Sequence, residues 1–355
     1  MSGLAGNGPG GRLAIFTICS NNYVPFARVL FESVRRHHPE AALFLCLADR
    51  KADLPGSYGE VTVVEAHALG VPDFPAFAFR YDIMEFNTAL KPFMVLHLLE
   101  TLGFQAVLYF DPDIELFAPL SGVLGHLWAG ASFVLTPHLC SPSEDRREPN
   151  DLTILRAGAY NLGFLGVSRT VRAAEVVRWW ARRLRFQCIN AQAEGLFVDQ
   201  KFMDLVPGFA PDAVVSRDTT LNVAYWNLAQ RRLDLMKEGA GDGWTVDGAP
   251  LTFFHFSGFN PRNPARLSRH DPRFVGELPP PLGLLTARYA GQLFAQGYEA
   301  LSPVPYAYGR FASGSTISPQ ARRAFRALDH WEGDPFATFE TANPACGPAC
   351  REDAA

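Results

Sequence analysis

Between residues 13 and 110 the chain alternates short, largely apolar runs with stretches whose apolar residues recur every three or four positions. That alternation narrows the available folds more than any other feature. Residues 13–18 read as a strand, and the run from Val107 to Phe110, apolar throughout, reads as one buried in a sheet. A helix is predicted to start near Pro25, with Phe26, Leu30, Ser33 and Val34 along one face. Residues 43–47 and 61–64 are the next strands. Pro92 suits the first turn of a helix whose Phe93, Leu96 and Leu99 face the sheet and which Gly103 ends. The repeated order predicts an α/β fold: a mostly parallel sheet flanked by helices. Further strands are expected at 132–136, 162–167 and 251–256, and an amphipathic helix at 171–184. After Pro279, Pro280 and Pro281 the character changes, and 283–330 read as helical and aromatic. The expected organisation is a flexible tail over 1–12, an α/β domain over 13–278, a helical extension over 279–335 and a tail over 336–355.

The strand at 106–110 ends abruptly in Asp111-Pro112-Asp113, the one Asp-x-Asp of the chain. Open α/β sheets bind ligands at the carboxyl ends of their strands. Two carboxylates two residues apart beside a low-dielectric core need a cation or strong donors to neutralise them. A divalent ion would do so and could also carry a diphosphate, since hard cations prefer carboxylate and phosphate oxygens. Taken alone, the motif reads equally as an acidic turn.

The chain has 355 residues, 48% of them hydrophobic, and a formal net charge of −4. That balance leaves no electrostatic footprint for nucleic acid or an anionic membrane. Arg178, Arg182, Arg183 and Arg185 fall at helical spacing, as on a solvated face. No apolar run approaches membrane-spanning length, and a cytoplasmic location is the expectation. Cys19 and Cys46 read as small core hydrophobes, whereas Cys346 and Cys350 read as a free or opportunistically oxidised pair rather than a zinc site.

Five other segments carry polar residues where an apolar pattern would not call for them. Thr17 to Tyr23, with Asn21 and Asn22, follows the first strand and could grip a base and ribose, or merely cap a helix. Lys91 opens a helix beside Pro92, where it could reach a phosphate or lie in solvent. Asn161 precedes a strand containing Gly163 and Gly166 and could donate to a sugar hydroxyl. Asp199 and Gln200 sit at a helix start, where Asp199 could equally be an N-cap. His255 ends a very apolar strand, followed by Gly258; it becomes a metal ligand only if the sheet brings it to Asp111 and Asp113. The loop at 138–150 is long enough to act as an acceptor-side lid.

In this order and spacing the six segments resemble glycosyltransferase family 8 over residues 13–262. The resemblance implies a GT-A (Rossmann-like) fold that binds a nucleotide-sugar, UDP-linked in expectation, through Mn2+ or Mg2+. Asp111, Asp113 and His255 match metal-ligand positions. Asn161, Asp199 and Gln200 match positions lining the donor sugar and reacting carbon, and Lys91 matches a basic residue near the donor. Thr17, Asn21, Asn22, Tyr23, Asp111 and Gly258 fall in donor-binding segments. Where the family carries Lys-Pro after its H-x-x-G, this chain has Phe259, Asn260, Pro261 and Arg262, and Arg262 is expected to take the phosphate role. The implied reaction passes a sugar to an acceptor hydroxyl with retention. The acceptor is left open among a glycan, a lipid-linked sugar, a peptide and a small molecule. Two alternatives stand beside it: a sugar-1-phosphate nucleotidyltransferase, which wants a glycine-rich phosphate loop after the first strand, and a catalytically silent carbohydrate-binding module.

Overall fold

The computed structural model describes residues 12–236, 243–274, 276–328 and 330–342; the first eleven residues, Cys346 and Cys350 lie outside these. Its seven-stranded sheet is built from β1 (Leu13–Cys19), β2 (Ala42–Leu47), β3 (Thr62–Glu65), β4 (Ala106–Phe110), β6 (Phe133–Leu135), β7 (Phe164–Ser168) and the strand Val214–Val215, with β5 (Ile114–Leu116) standing apart. The spatial order is Val214–Val215, β6, β7, β4, β1, β2, β3. All neighbours are parallel except that β7 runs antiparallel to both β4 and β6. The sheet is therefore mostly parallel, as the alternation predicted, with one reversed strand. All seven residues of β1 and all five of β4 are buried.

Alternate side chains divide the core between the two faces of the sheet. Ala14, Phe16, Ile18, Val107 and Tyr109 pack with α2 (Phe74–Arg80), α3 (Ile83–Ala89), α4 (Lys91–Leu96) and the helix Val171–Gln187. Leu13, Ile15, Leu108 and Phe110 pack instead against Leu30 and Val34 of α1 (Val24–His37) and Val123 and Leu127 of the helix Ser121–Trp128. Pro25 lies in the first turn of α1, where its missing N–H costs nothing. The helix begun by Lys91 continues as a π-helical turn over His97–Thr101 before Gly103 turns the chain.

The residues after 279 do not stand off the domain. The helix Pro280–Ala295 buries Leu282, Leu285, Tyr289 and Leu293 against Phe26, Val29 and Phe256. Further on, the buried Arg322 guanidinium donates to the Phe79 and Tyr308 carbonyls at 2.6 and 2.7 Å, binding the helix Pro319–Arg326 to the end of α2. A last helix, Pro335–Ala342, falls almost wholly in the stretch expected to be tail. It folds because Phe336 and Phe339 pack around Phe79. Among the described residues no helix is long and apolar enough to cross a membrane.

Candidate active site

Asp111 leaves the sheet at the carboxyl end of β4, where its N–H donates to the Gly163 carbonyl at 2.7 Å beside the start of β7. Pro112 turns the chain, the Ile114 N–H returns to the Asp111 carbonyl at 3.2 Å, and β5 follows. β5 pairs antiparallel with the strand Phe253–His255, placing His255 directly opposite Ile114. This short pairing, outside the main sheet, joins two motifs 142 positions apart. His255 Nε2 lies 3.1 Å from Asp113 Oδ1 and 3.6 Å from Asp111 Oδ2. Ligand atoms of all three side chains fall within 4.8 Å of one another. Two carboxylates and an imidazole make a donor set suited to a divalent cation. Burial would lower the His255 pKa, but Asp113, and behind it Asp111, outweigh that and raise it above the usual imidazole value.

Behind the carboxylates lies a second charged group. Lys91 is 1% exposed rather than solvated, and its ammonium sits 2.5 Å from Asp199 Oδ2 in an ion contact. The ammonium also donates to the Leu162 carbonyl at 2.7 Å and lies 4.2 Å from the centre of the Tyr109 ring. The Tyr109 hydroxyl donates to Asp111 Oδ1, tying the pair to the cluster. Asp199 occupies the N-cap position of the short helix Gln200–Met203, yet its side chain makes no capping bond. Burial raises its pKa, with Lys91 pulling the other way. Gln200 spans the gap to β7, accepting from the Leu162 N–H at 3.3 Å and donating to the Ala157 carbonyl at 2.8 Å. The Asn161 amide is engaged internally as well: Oδ1 accepts from the Gly163 N–H at 3.0 Å, and Nδ2 faces His138 Nε2 at 3.1 Å.

The turn after β1 divides. Thr17 is wholly buried within the strand. Asn21 is buried and committed to Asp49, the Arg50 carbonyl and the Tyr58 hydroxyl. Asn22 accepts from the Ser20 hydroxyl at 2.6 Å. Tyr23 stacks on Phe26, is 37% exposed, and is close enough to Asp113 and Arg269 to feel their charges. Gly258 has a φ of +72°, and a Cβ there would meet His270 Cδ2 at 2.6 Å and Ser268 Oγ at 2.7 Å. Its carbonyl accepts the Arg269 N–H at 3.0 Å, seating that segment beside the cluster, with His270 close enough to feel Asp113. Arg262 instead pairs with Glu299 at 2.6 Å and lies over the Tyr298 ring.

Four neighbours of the cluster carry no such signal in the sequence: Tyr109, His138, Arg269, and Asn222, whose Oδ1 lies 3.3 Å from His255 Nδ1. Tyr109 is one apolar-run residue among several, and Asn222 sits in a segment with no helical or strand period. A more useful signal was Gly163, where a Cβ would approach His255 Cε1 to 2.3 Å. Trp226 packs edge-on against His255 and His138, with ring centres 5.2 and 5.4 Å apart. It also lines a cleft of about 760 Å³ with Leu139, Glu144, Gln230, Arg231 and Arg273. Over that cleft the loop 138–150 is held by Arg273, which donates to both Asp145 carboxylate oxygens at 2.9 and 2.8 Å.

No protein-family model matches the chain. Two proteins of Bacillus subtilis (strain 168) are similar to it in sequence. Uncharacterized protein YfnF is 27% identical over 181 residues, covering 50% of this chain and 58% of its own length. Uncharacterized protein YfnD is 25% identical over 253 residues, covering 68% of this chain and 76% of its own length. The chain thus spans a little over half of the first relative and about three quarters of the second. Among solved structures, the galactosyltransferase LgtC in complex with donor and acceptor sugar analogs superposes with a TM-score of 0.43 at 17% identity, covering 82% of this chain and 97% of that one. Mouse xyloside xylosyltransferase 1 in its apo form gives a TM-score of 0.40 at 12% identity, covering 69% and 97%.

Proposed function

We propose that the chain is a divalent-metal-dependent glycosyltransferase that moves a sugar from a nucleoside diphosphate, UDP in expectation, to an acceptor hydroxyl. The observation that carries this reading is the convergence of Asp111, Asp113 and His255 at the carboxyl end of β4. Their ligand atoms lie close enough to share one ion, so the residues fit Mn2+ or Mg2+. When bound, such an ion supplies Lewis acidity toward the diphosphate as the glycosidic bond breaks.

The remaining work falls to the chain's own groups. Tyr109 orients Asp111 through its hydroxyl, and the buried Lys91–Asp199 pair places an acid and a base beside the cluster. Asp199 and Gln200 are assigned to the sugar, holding hydroxyls and shielding positive charge at the anomeric carbon. Asn22 and Tyr23, at the mouth, are assigned to the base and ribose, with Gly258 seating the segment that approaches the diphosphate. The cleft past Trp226 is assigned to the acceptor, with the 138–150 loop above it. Retention of configuration follows from the family resemblance. The residues after β1 form a 3-10 turn, Asn21–Tyr23, without glycine, which gives a nucleotidyltransferase no phosphate loop.

A panel of nucleotide-sugars assayed with and without Mn2+ tests the reading. Metal-dependent, slow hydrolysis of one donor is the expected result. Failure of every donor to bind or turn over would leave the fold a silent module.

A further inference from the structure

We infer that Trp180 is a positioning residue for Asp199: its indole N–H, acting through the Asp199 carbonyl, holds a strained turn that aims the Asp199 carboxylate at Lys91. Only the catalytic consequence rests on the proposed assignment of Asp199 to the donor sugar.

The outlier that exposes the device is Val198. Its φ is +39°, left-handed backbone that a β-branched residue keeps only when its surroundings hold it there. A hydrogen bond on either side of the residue does so, and both run to the helix Val171–Gln187 or to the turn that ends it. The Val198 N–H donates to the carbonyl of Ile189, just past the helix, at 3.0 Å, and Trp180 Nε1–H donates to the Asp199 carbonyl at 3.1 Å. Trp180 is wholly buried, and Val198 and Asp199 are 4% and 2% exposed, so water does not substitute for either bond. Beyond the turn Asp199 has helical backbone, with φ −78° and ψ −35°, rather than the extended backbone of an N-cap, and its carboxylate bonds no amide of the helix it precedes. It meets the Lys91 ammonium instead. Lys91 opens α4, which packs against the same Val171–Gln187 helix. Both halves of the ion pair are thus referred to one element, Lys91 by helix packing and Asp199 by a single indole proton.

Replacing Trp180 by benzothienylalanine, in which sulfur takes the place of the N–H in a ring of nearly the same shape, deletes the bond and keeps the packing; Trp180→Phe is the genetic counterpart. The chain has four lysines, so the Lys91 ammonium is readily assigned in 1H–15N spectra, where a buried, paired ammonium exchanges its protons slowly. Wild-type protein should show that slow signal without any ligand, and both variants should exchange it faster by about tenfold. With Mn2+ and the donor that wild-type protein hydrolyses, both should lower turnover by about 10–100-fold while nucleotide affinity stays within about twofold. In an Asp199→Asn background, loss of the indole N–H should lower turnover no further, because the group it positions is gone. Fast Lys91 exchange in wild-type protein overturns the inference, as does unchanged exchange or full turnover in the benzothienyl variant. A loss of the same size in the Asp199→Asn background, which a merely structural role would give, overturns it too. Faster Lys91 exchange in the variants of a wild-type protein that binds and hydrolyses no nucleotide-sugar would overturn the donor reading and leave the positioning standing.

Discussion

At the residue scale, Asp113 and Asp111 differ in what else they do. Asp111 accepts from the Tyr109 hydroxyl, whereas the Asp113 carboxylate faces His255. Asp113→Asn should therefore leave the fold intact while abolishing most Mn2+-dependent nucleotide affinity; calorimetry showing unchanged affinity with metal would count against the cation site. His138 makes a second prediction, concerning pH. Burial lowers its pKa from 6.5 to about 4, so the folded state holds it neutral. Below about pH 6.5 the unfolded chain takes up a proton that the folded chain refuses until near pH 4. Stability is thus present above that window and falls through it as pH drops, by on the order of 3 kcal/mol. In His138→Gln, whose amide oxygen can accept the same Asn161 donor, chemical denaturation should lose part of that acid slope. An unaltered slope would place the sensitivity elsewhere.

At the scale of elements, the pieces that carry the site were unequally legible. The strands at 43–47 and 106–110 are apolar throughout, that at 13–18 is apolar but for Thr17, and the helix at 171–184 has a clear period, so burial alone marks them. The antiparallel pairing of β5 with Phe253–His255 is a three-residue contact across most of the chain, and no local pattern encodes it. Its two ends were nonetheless singled out, because charge and imidazole are conspicuous in apolar runs. Lys91 and Asp199 illustrate the reverse case: each has an ordinary local explanation, as solvated cation or N-cap, and only their mutual burial removes it. The segment 266–270 has no apolar period, and nothing local sets Arg266 and Arg269 apart from ordinary surface residues. By position it, rather than Arg262, is the better candidate for the diphosphate. Arg269→Ala should weaken nucleotide binding by about tenfold, the scale of one charge-assisted hydrogen bond. Arg262→Ala, which removes an exposed pair with Glu299, should change it little; the opposite ranking in a binding titration would restore Arg262 to the role expected from the sequence.

For the whole molecule, the boundary expected near residue 279 marks a change of composition but not a gap in packing. Tyr289 stacks on Phe256 with ring centres 3.6 Å apart, one residue after His255. Glu115, wholly buried on β5, receives both Arg288 nitrogens at 2.9 and 2.8 Å and the Gln292 amide at 2.9 Å. The helix Pro280–Ala295 therefore braces both strands that meet at the cluster. A chain ending at residue 278 would leave that carboxylate buried without these partners and expose Leu282's and Tyr289's counterparts on α1. It should not unfold cooperatively, as followed by circular dichroism on heating. A sharp two-state transition near that of the full chain would show that the extension is dispensable.

Gly163 has a consequence for how variants of this chain will be read. It has no side chain, titrates nothing and touches no substrate in the proposed reaction. Yet a methyl group there would overlap the imidazole of His255 and the amide of Asn161. In a saturation library scored by turnover, position 163 should tolerate nothing and rank with Asp113. Intolerance there would measure the space an imidazole needs, and a map of mutational sensitivity would mistake an empty volume for a catalytic group.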